Sequence, residues 1–299
     1  MLRALVGPTA SGKTEAGIAI ATRLGAEVAS VDSMLVYRGM DVGTAKPTAA
    51  QRRDLPHHLL DLAEPSERFT VARYQQAAHQ LLERVPDPLL VGGSGLYFRA
   101  VVDRLRFPPE DPAVRASLEA QADVLGADEL YARLSAADPV AAARIDPANV
   151  RRTIRALEVS TITGAPFSDF AAAWDVYEPT RVRVAGIRLA PGALDARVRA
   201  RIARMLETGW IDEVRDLRER GFGAWLTSSQ AIGYAELAEH LDDRLPLDEA
   251  MERTVKRTKE LARRQMAWFR RDPRVRWFDA GEDGAAEIVD EVTAYLEAA

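Results

Sequence analysis

Cysteine is absent from this 299-residue chain, which removes disulfides, thiolate-bound zinc and thiol nucleophiles together. Histidine is scarce: of the 4 present, His57 and His58 are adjacent and would face opposite ways on a strand, so they read as a polar strand end and not as a metal pair. Lysine is nearly missing too, with Lys13, Lys46, Lys256 and Lys259 set against an otherwise all-arginine basic complement. No apolar run approaches membrane-spanning length, and the amino terminus enters a strand-like run directly, leaving no room for a signal peptide. A cytoplasmic location without membrane contact is therefore expected. The net charge of -5 carries no global nucleic-acid signature, so any RNA contact must come from local patches. With 47% hydrophobic and 28% charged residues, the chain suits one large α/β domain or such a domain carrying an insertion.

The apolar run Leu2 to Val6 leads into Gly7-Pro8-Thr9-Ala10-Ser11-Gly12-Lys13-Thr14, the G-x-x-x-x-G-K-T pattern of a phosphate-cradling P-loop. Gly7 and Gly12 permit a turn that lets backbone N–H groups converge on phosphate oxygens, and a helix opening near Lys13 adds its positive dipole end. Lys13 supplies a compact positive charge, and the Thr14 hydroxyl suits Mg²⁺. Glu27 to Val31 reads as a second buried strand whose carboxyl end presents Asp32, on the same edge as the P-loop if the strands are parallel. An Asp there also suits capping of the following segment. Asp41-Val42-Gly43-Thr44-Ala45-Lys46-Pro47 is a Gly- and Pro-punctuated loop, His57 to Asp61 a possible short strand, and Phe69 to Val85 a helix. Leu89 to Val91 forms a third buried strand ending in Gly92-Gly93-Ser94-Gly95. A nucleoside-triphosphatase would place an acidic residue there to hold metal; these glycines instead admit a backbone or a flat substrate, with Ser94 offering a hydroxyl.

Prolines at 108, 109 and 112 mark a joint, after which Ala113 to Glu178 reads as nearly all helix. Arg144, Arg151, Arg152 and Arg155 cluster where Asn149-Val150 opens a helix, a pattern that suits either a phosphate-facing patch or a solvated face. Val182 to Leu189 returns to strand character. The helix Ala193 to Glu207 follows, with Arg197 and Arg201 one turn apart, a spacing that suits two forked contacts to a diphosphate. Ser228 to Tyr234 forms a small-residue loop. A last long helix, Leu247 to Arg271, carries an apolar stripe flanked by arginines; between Leu247 and Asp272 eight basic residues face five acidic ones, a local reversal of the chain's negative charge.

The ordered set of Gly7–Thr14, Asp32-Ser33 with Tyr37-Arg38, Gly92–Tyr97, Arg151-Arg152, Gln230–Tyr234 and Ala262–Gln265 with Trp268-Phe269 resembles the tRNA dimethylallyltransferase family, in its bacterial form without a zinc-finger extension. The resemblance spans nearly the whole chain and is far more specific than a P-loop alone. It implies a P-loop NTPase-like parallel sheet flanked by helices, with an all-helical domain inserted: residues 1–111 as the first part of the core, 112–178 as a tRNA-contacting insertion, and 179–299 as the second part with a basic C-terminal helix. It further implies transfer of a dimethylallyl group from dimethylallyl diphosphate to N6 of adenosine 37 beside the tRNA anticodon, with Mg²⁺ on Thr14, by a monomer. Asp32, Lys13, Thr9 and Arg197 take the catalytic positions, with Asp32 accepting the amine proton, and Gly7 to Thr14 cradle the diphosphate. Asp32, Ser33, Met34, Leu35, Ser94, Arg115, Arg151, Arg152, Arg263 and Arg264 match tRNA-contacting positions. Ser94 stands where threonine is expected in many relatives. An adenylate isopentenyltransferase or a small-molecule kinase remains the alternative on residues alone.

Overall fold

The computed structural model describes the chain except residues 104, 173–175, 178–181 and 299. It divides into two compact units, Met1–Asp103 with Pro179–Ala299, and Arg104–Glu178.

The first unit is built on six strands: β1 (Leu2–Val6), β2 (Val28–Ser30), β3 (His57–His58), β4 (Leu89–Gly92), β5 (Val182–Leu189) and β6 (Val275–Ala280). They lie in the order β3-β2-β4-β1-β5-β6, and every neighbouring pair is parallel. Parallel strands need helical crossovers that cover both faces, which is why β1, β2 and β4 are short continuous apolar runs. Helices α1 (Lys13–Leu24), α2 (Ala49–Asp54), α3 (Val71–Arg84) and α4 (Gly95–Val102) belong to the amino-terminal half of this unit. The core joins Leu5, Ile20, Val28, Leu89, Ile187 and Phe278 with Val292 and Leu296 from the end of the chain.

Several sequence expectations need revision. The run from His57 to Asp61 pairs only at its first two residues, because Leu59 and Asp61 adopt left-handed φ angles of 62° and 54° and leave the extended region. His57 Nδ1 lies 2.8 Å from the Leu55 carbonyl and His58 meets Glu27, so both histidines have local partners; no group of three or more metal-ligating side chains occurs among the described residues. Strand β6 lacks a continuous apolar run because it is an edge strand that exposes Arg276 and Asp279, the latter forking onto Arg188 of β5.

The second unit is helical: α5 (Pro112–Leu125), α6 (Ala127–Ala137), α7 (Pro139–Ala142), α8 (Val150–Thr163) and α9 (Phe167–Ala172). Asp111 caps α5 by accepting from Ala113 and Val114, and Asn149 caps α8 by accepting from Arg152. Its core gathers Leu130, Leu134, Ile145, Ile154 and Leu157. The expected end of this insertion at residue 178 lies outside the described residues.

After β5 the first unit resumes with α10 (Ala193–Glu207), α11 (Trp210–Glu219), α12 (Tyr234–Leu241) and α13 (Leu247–Phe269). The basic helix α13 does not close the chain. It is followed by β6 and by α14 (Val289–Glu297), which carries Asp290 and Glu291 in its first turn and buries Val292 and Leu296 against the sheet core.

Candidate active site

Because β1, β4 and β2 are neighbours and parallel, their carboxyl ends bring the P-loop, Gly92–Ser94 and Val31–Asp32 to one sheet edge. The P-loop carbonyls are tied back by the loop's own lysine and by two groups from elsewhere in the chain. The Pro8 carbonyl accepts from Lys13 Nζ at 2.5 Å, the Ala10 carbonyl from Arg197 Nε at 2.8 Å, and the Ser11 carbonyl from the Ala285 amide at 2.9 Å. With these carbonyls turned away, the loop presents the amide side and the uncapped first turn of α1, the usual geometry for an anion. Gly12 takes φ 84° as the residue before α1, and Ala10 adopts φ 63°, a left-handed conformation that alanine enters only under constraint. Gly7 is closely packed: a Cβ there would lie 3.1 Å from Ile187 Cβ, tighter than ordinary contact.

Asp32 is held by its own turn, with Oδ1 accepting from the Met34 amide at 2.8 Å, so the capping reading is correct for one oxygen only. The Ser94 hydroxyl accepts from the Ser33 amide at 3.2 Å, and the Ser94 amide donates to the Val31 carbonyl at 3.1 Å, which locks the Asp32 turn to the end of β4. The glycines after β4 admit protein, not a flat substrate. A Cβ at Gly92 would stand 2.3 Å from the Val31 carbonyl, at Gly93 2.5 Å from Gln265 Nε2, and at Gly95 1.9 Å from Trp268 Cδ1. Gly93 and Gly95 thus form the slot into which α13 inserts Gln265 and Trp268, while Gly92 lets β4 approach Val31. Buried Gln265 in turn accepts from the Thr9 amide at 2.7 Å.

Three cavities adjoin here. A large one of about 410 Å³ is bordered by Asp32, Ser33 and Met34, by Val198, Ile202 and Met205 of α10, by Trp210 and Tyr234, and by Arg257 and Arg264. A shelf of about 380 Å³ is bordered by Ala10 to Glu15 with Arg197, Arg201, Arg204 and Asp283. Between them runs a narrow passage of about 80 Å³ that shares Thr9, Asp32 and Arg201 with the large cavity, shares Lys13, Thr14 and Arg201 with the shelf, and also touches Leu35. Burial lowers the Lys13 pKa to about 7, aided by the neighbouring Arg201 cation and opposed by Asp32 and Glu15. Burial likewise lowers the pKa of Arg201.

The two arginines of α10 therefore differ. Arg197 donates to the Ala10 and Glu282 carbonyls at 2.8 and 2.9 Å and acts as a strut behind the P-loop, whereas Arg201 reaches the passage and donates only to the Thr44 carbonyl, at 3.3 Å. Arg264 borders the large cavity, while Arg263 borders a separate cavity beside Pro8 and Arg188. In the helical unit, Arg115 does not present a free cation: it pairs with buried Glu158, which also binds Arg155 at 2.7 Å. Arg151 and Arg152 are exposed and have no ion pair among the described residues. Sequence reasoning did not place Gln265, Trp210, Thr44 or Arg257 at the site; only the doubled arginine spacing hinted at Arg201.

A family described as IPP transferase matches residues 35–272. The chain is 50% identical to a tRNA dimethylallyltransferase of Kineococcus radiotolerans, over 93% of this chain and 90% of that protein, and 47% identical to one of Streptomyces coelicolor, over 95% and 92%. Among solved structures, the tRNA isopentenylpyrophosphate transferase of Bacillus halodurans superposes with a TM-score of 0.70 at 40% identity, covering 99% of this chain and 97% of that one. A eukaryotic dimethylallyltransferase acting on tRNA shares the fold, with a TM-score of 0.77 at 24% identity over 94% and 74%. With a P-loop, an adjoining Asp32 and a deep cavity on one sheet edge, and with relatives of this closeness along its length, the chain belongs to the IPP transferase family of tRNA dimethylallyltransferases.

Proposed function

We propose that this protein is a tRNA prenyltransferase that moves a dimethylallyl group from dimethylallyl diphosphate to N6 of adenosine 37, next to the anticodon. The observation that carries this reading is the narrow passage in which Asp32, Thr9, Lys13 and Arg201 stand together, between a cationic shelf and a large apolar-walled cavity. A kinase needs the P-loop for a triphosphate and a carboxylate at the end of β4; here β4 ends in Gly92, packed against Val31, and Gly93 and Gly95 beyond it pack against α13.

In this arrangement the shelf takes the diphosphate and the large cavity takes the adenine, which must leave the anticodon-loop stack at a cost of a few kcal/mol. The N6 lone pair attacks the allylic carbon, the C–O bond breaks with its electron pair leaving on the diphosphate, and the amine proton passes to the free Oδ2 of Asp32. Lys13 and Arg201 stabilise the charge that grows on the departing oxygen, and Thr9 supplies a hydroxyl at the same point. Arg197 keeps the cradle in shape. Ser33, Met34 and Leu35, fixed through Ser94, line the approach of the nucleotide. Thr14 borders both passage and shelf, and no cluster of three or more metal-ligating side chains occurs among the described residues, so Mg²⁺ would be held by the Thr14 hydroxyl together with the diphosphate; the ion would add Lewis-acid charge neutralisation to the leaving group. Arg264 at the cavity and the exposed Arg263, Arg151 and Arg152 supply phosphate contacts to the RNA.

Incubation with dimethylallyl diphosphate, Mg²⁺ and unmodified tRNA, followed by nucleoside mass analysis, tests the reading. Prenylated adenosine confined to position 37 is expected. Prenylation of free AMP with none in tRNA, or transfer of a labelled γ-phosphate from ATP, would replace it with one of the two alternatives.

A further inference from the structure

Asp41-Val42-Gly43-Thr44-Ala45-Lys46-Pro47 takes no direct part in the chemistry above, yet two charged groups, buried Lys46 and half-buried Glu213, converge on it. Lys46 has a side chain only 1% exposed, and its ammonium donates to the Tyr37 carbonyl at 2.6 Å, to Asp41 Oδ1 at 2.6 Å and to Asp61 Oδ1 at 2.7 Å. Glu213, from α11, meets the same loop from the other side. Its Oε2 accepts from the Asp41 and Val42 amides, each at 2.7 Å, and its Oε1 accepts from the Gly43 amide at 3.1 Å and the Tyr234 hydroxyl at 2.6 Å. Gly43 packs so tightly that a Cβ would fall 2.0 Å from Trp210 Nε1. Withdrawing charges from water is costly unless every bonding position is met, and here three consecutive amides and a phenol meet one carboxylate. The next residue, Thr44, ties its hydroxyl to the Met40 carbonyl at 2.6 Å and offers its own carbonyl to Arg201 Nη2. Among the described residues, Arg201 is the one cation that borders all three cavities.

We propose that Glu213 and Lys46 are positioning residues for the transfer reaction: they clamp the loop 41–46 so that the Thr44 carbonyl aims the Arg201 guanidinium into the passage, and they act on the diphosphate only through Arg201. This rests on the reading of the shelf as the diphosphate site. A clamp that only stabilised the fold would leave Arg201 indifferent to it. A clamp that aims Arg201 loses its effect once Arg201 is gone, because the coupling between the two positions is then the whole of the effect.

The test is binding of inorganic diphosphate with Mg²⁺ to the full-length protein by calorimetry, with melting temperature and tRNA affinity measured in parallel. Glu213→Gln should weaken diphosphate by about tenfold, the size of one lost interaction in this range, with tRNA affinity unchanged. In an Arg201→Met background the same change should have no further effect. Tyr234→Phe, which leaves Glu213 in place and removes one of its four donors, should give a smaller loss of two- to threefold that also vanishes in that background, and it serves where Glu213→Gln fails to fold. Wild-type diphosphate affinity in both Glu213→Gln and Tyr234→Phe, or losses that multiply with that of Arg201→Met, would overturn the proposal. If Lys13→Ala and Arg201→Met both bind diphosphate as the unaltered protein does, the shelf reading itself fails, and the clamp proposal with it. If only Lys13→Ala weakens binding, the shelf reading stands and the link through Arg201 is wrong.

Discussion

The two ends of the site obey different physics. The shelf is a place of charge, where Lys13, Arg197, Arg201 and Arg204 gather beside the P-loop, and burial lowers the pKa of Lys13 and Arg201, with a neighbouring cation adding to each shift and Asp32 and Glu15 opposing it. The large cavity is a place of shape, walled by Val198, Ile202 and Met205 and by Trp210 edge-on to Tyr234 at 5.8 Å between ring centres. The difference teaches how the proposed division of labour would work: cations and loop amides suit the diphosphate, and apolar walls suit the adenine. Among the described residues, Asp32, Thr9, Arg201, Thr44 and Gln265 belong to both the cavity and the passage.

The sharpest way to break this comparison is at the junction. Asp32→Asn should lower the single-turnover transfer rate by about a thousandfold, within the range for loss of a positioned base, while tRNA affinity stays within about twofold. Loss of binding in step with rate would make Asp32 a docking residue instead. On the shelf, Lys13→Ala and Arg201→Met should each cost roughly a hundredfold in kcat/KM for the diphosphate donor. Arg197→Met should show mainly as a lower melting temperature, since its guanidinium braces two carbonyls; equal kinetic losses at 197 and 201 would erase the distinction between strut and contact.

The pH dependence tests the shelf's charge directly. Free Lys13 titrates near 7, and a bound anion raises that pKa, so above pH 7 binding must take up a proton. Diphosphate affinity should therefore be full below about pH 7 and fall as pH rises toward 9. Calorimetry in buffers of different ionisation enthalpy would report the proton, and Lys13→Ala should abolish this part of the slope. On stability the sign is the reverse: in the ligand-free protein the lowered pKa means the unfolded chain holds more protons between pH 7 and 10.5, so Lys13 contributes a rise of stability with pH across that window.

The smallest effects belong to α13, whose halves also differ. Arg253 pairs with Glu249 at 2.6 Å, and Arg257 and Lys259 pair with Glu236 and Asp195, whereas Arg263 and Arg264 have no ion pair among the described residues. Arg263→Ala and Arg264→Ala should each weaken tRNA binding severalfold and lower its salt slope by about one, while Arg253→Ala leaves both nearly unchanged. A salt titration of filter-bound tRNA reads this directly.

Much of this was legible in the residues. The P-loop, the second strand with Asp32 at its end, and the boundaries of α10 and β5 follow from local pattern: glycine spacing, short apolar runs and a stripe every three or four residues. Gly93 and Gly95 were visible, but their purpose was not, because it depends on Gln265 and Trp268 arriving from α13 some 170 positions later. Strand β6 was missed because an edge strand with one wet face lacks the continuous apolar run that identified the others.

Sequence alone determined the chemistry on offer: a phosphate cradle, one carboxylate at a strand end, no thiol, and an arginine surplus in the right stretches. Those are properties of short segments, set by local sterics and by which side chains exist. Which arginine is free was decided only by the tertiary structure. Arg197 and Arg115 are braced or neutralised by groups distant in the chain, and Arg155 by the Pro108 and Pro109 carbonyls as well as by Glu158, while Arg201, Arg151, Arg152, Arg263 and Arg264 are not similarly tied down. Charge is written in the sequence, but its availability depends on the groups that folding brings within three ångströms of it.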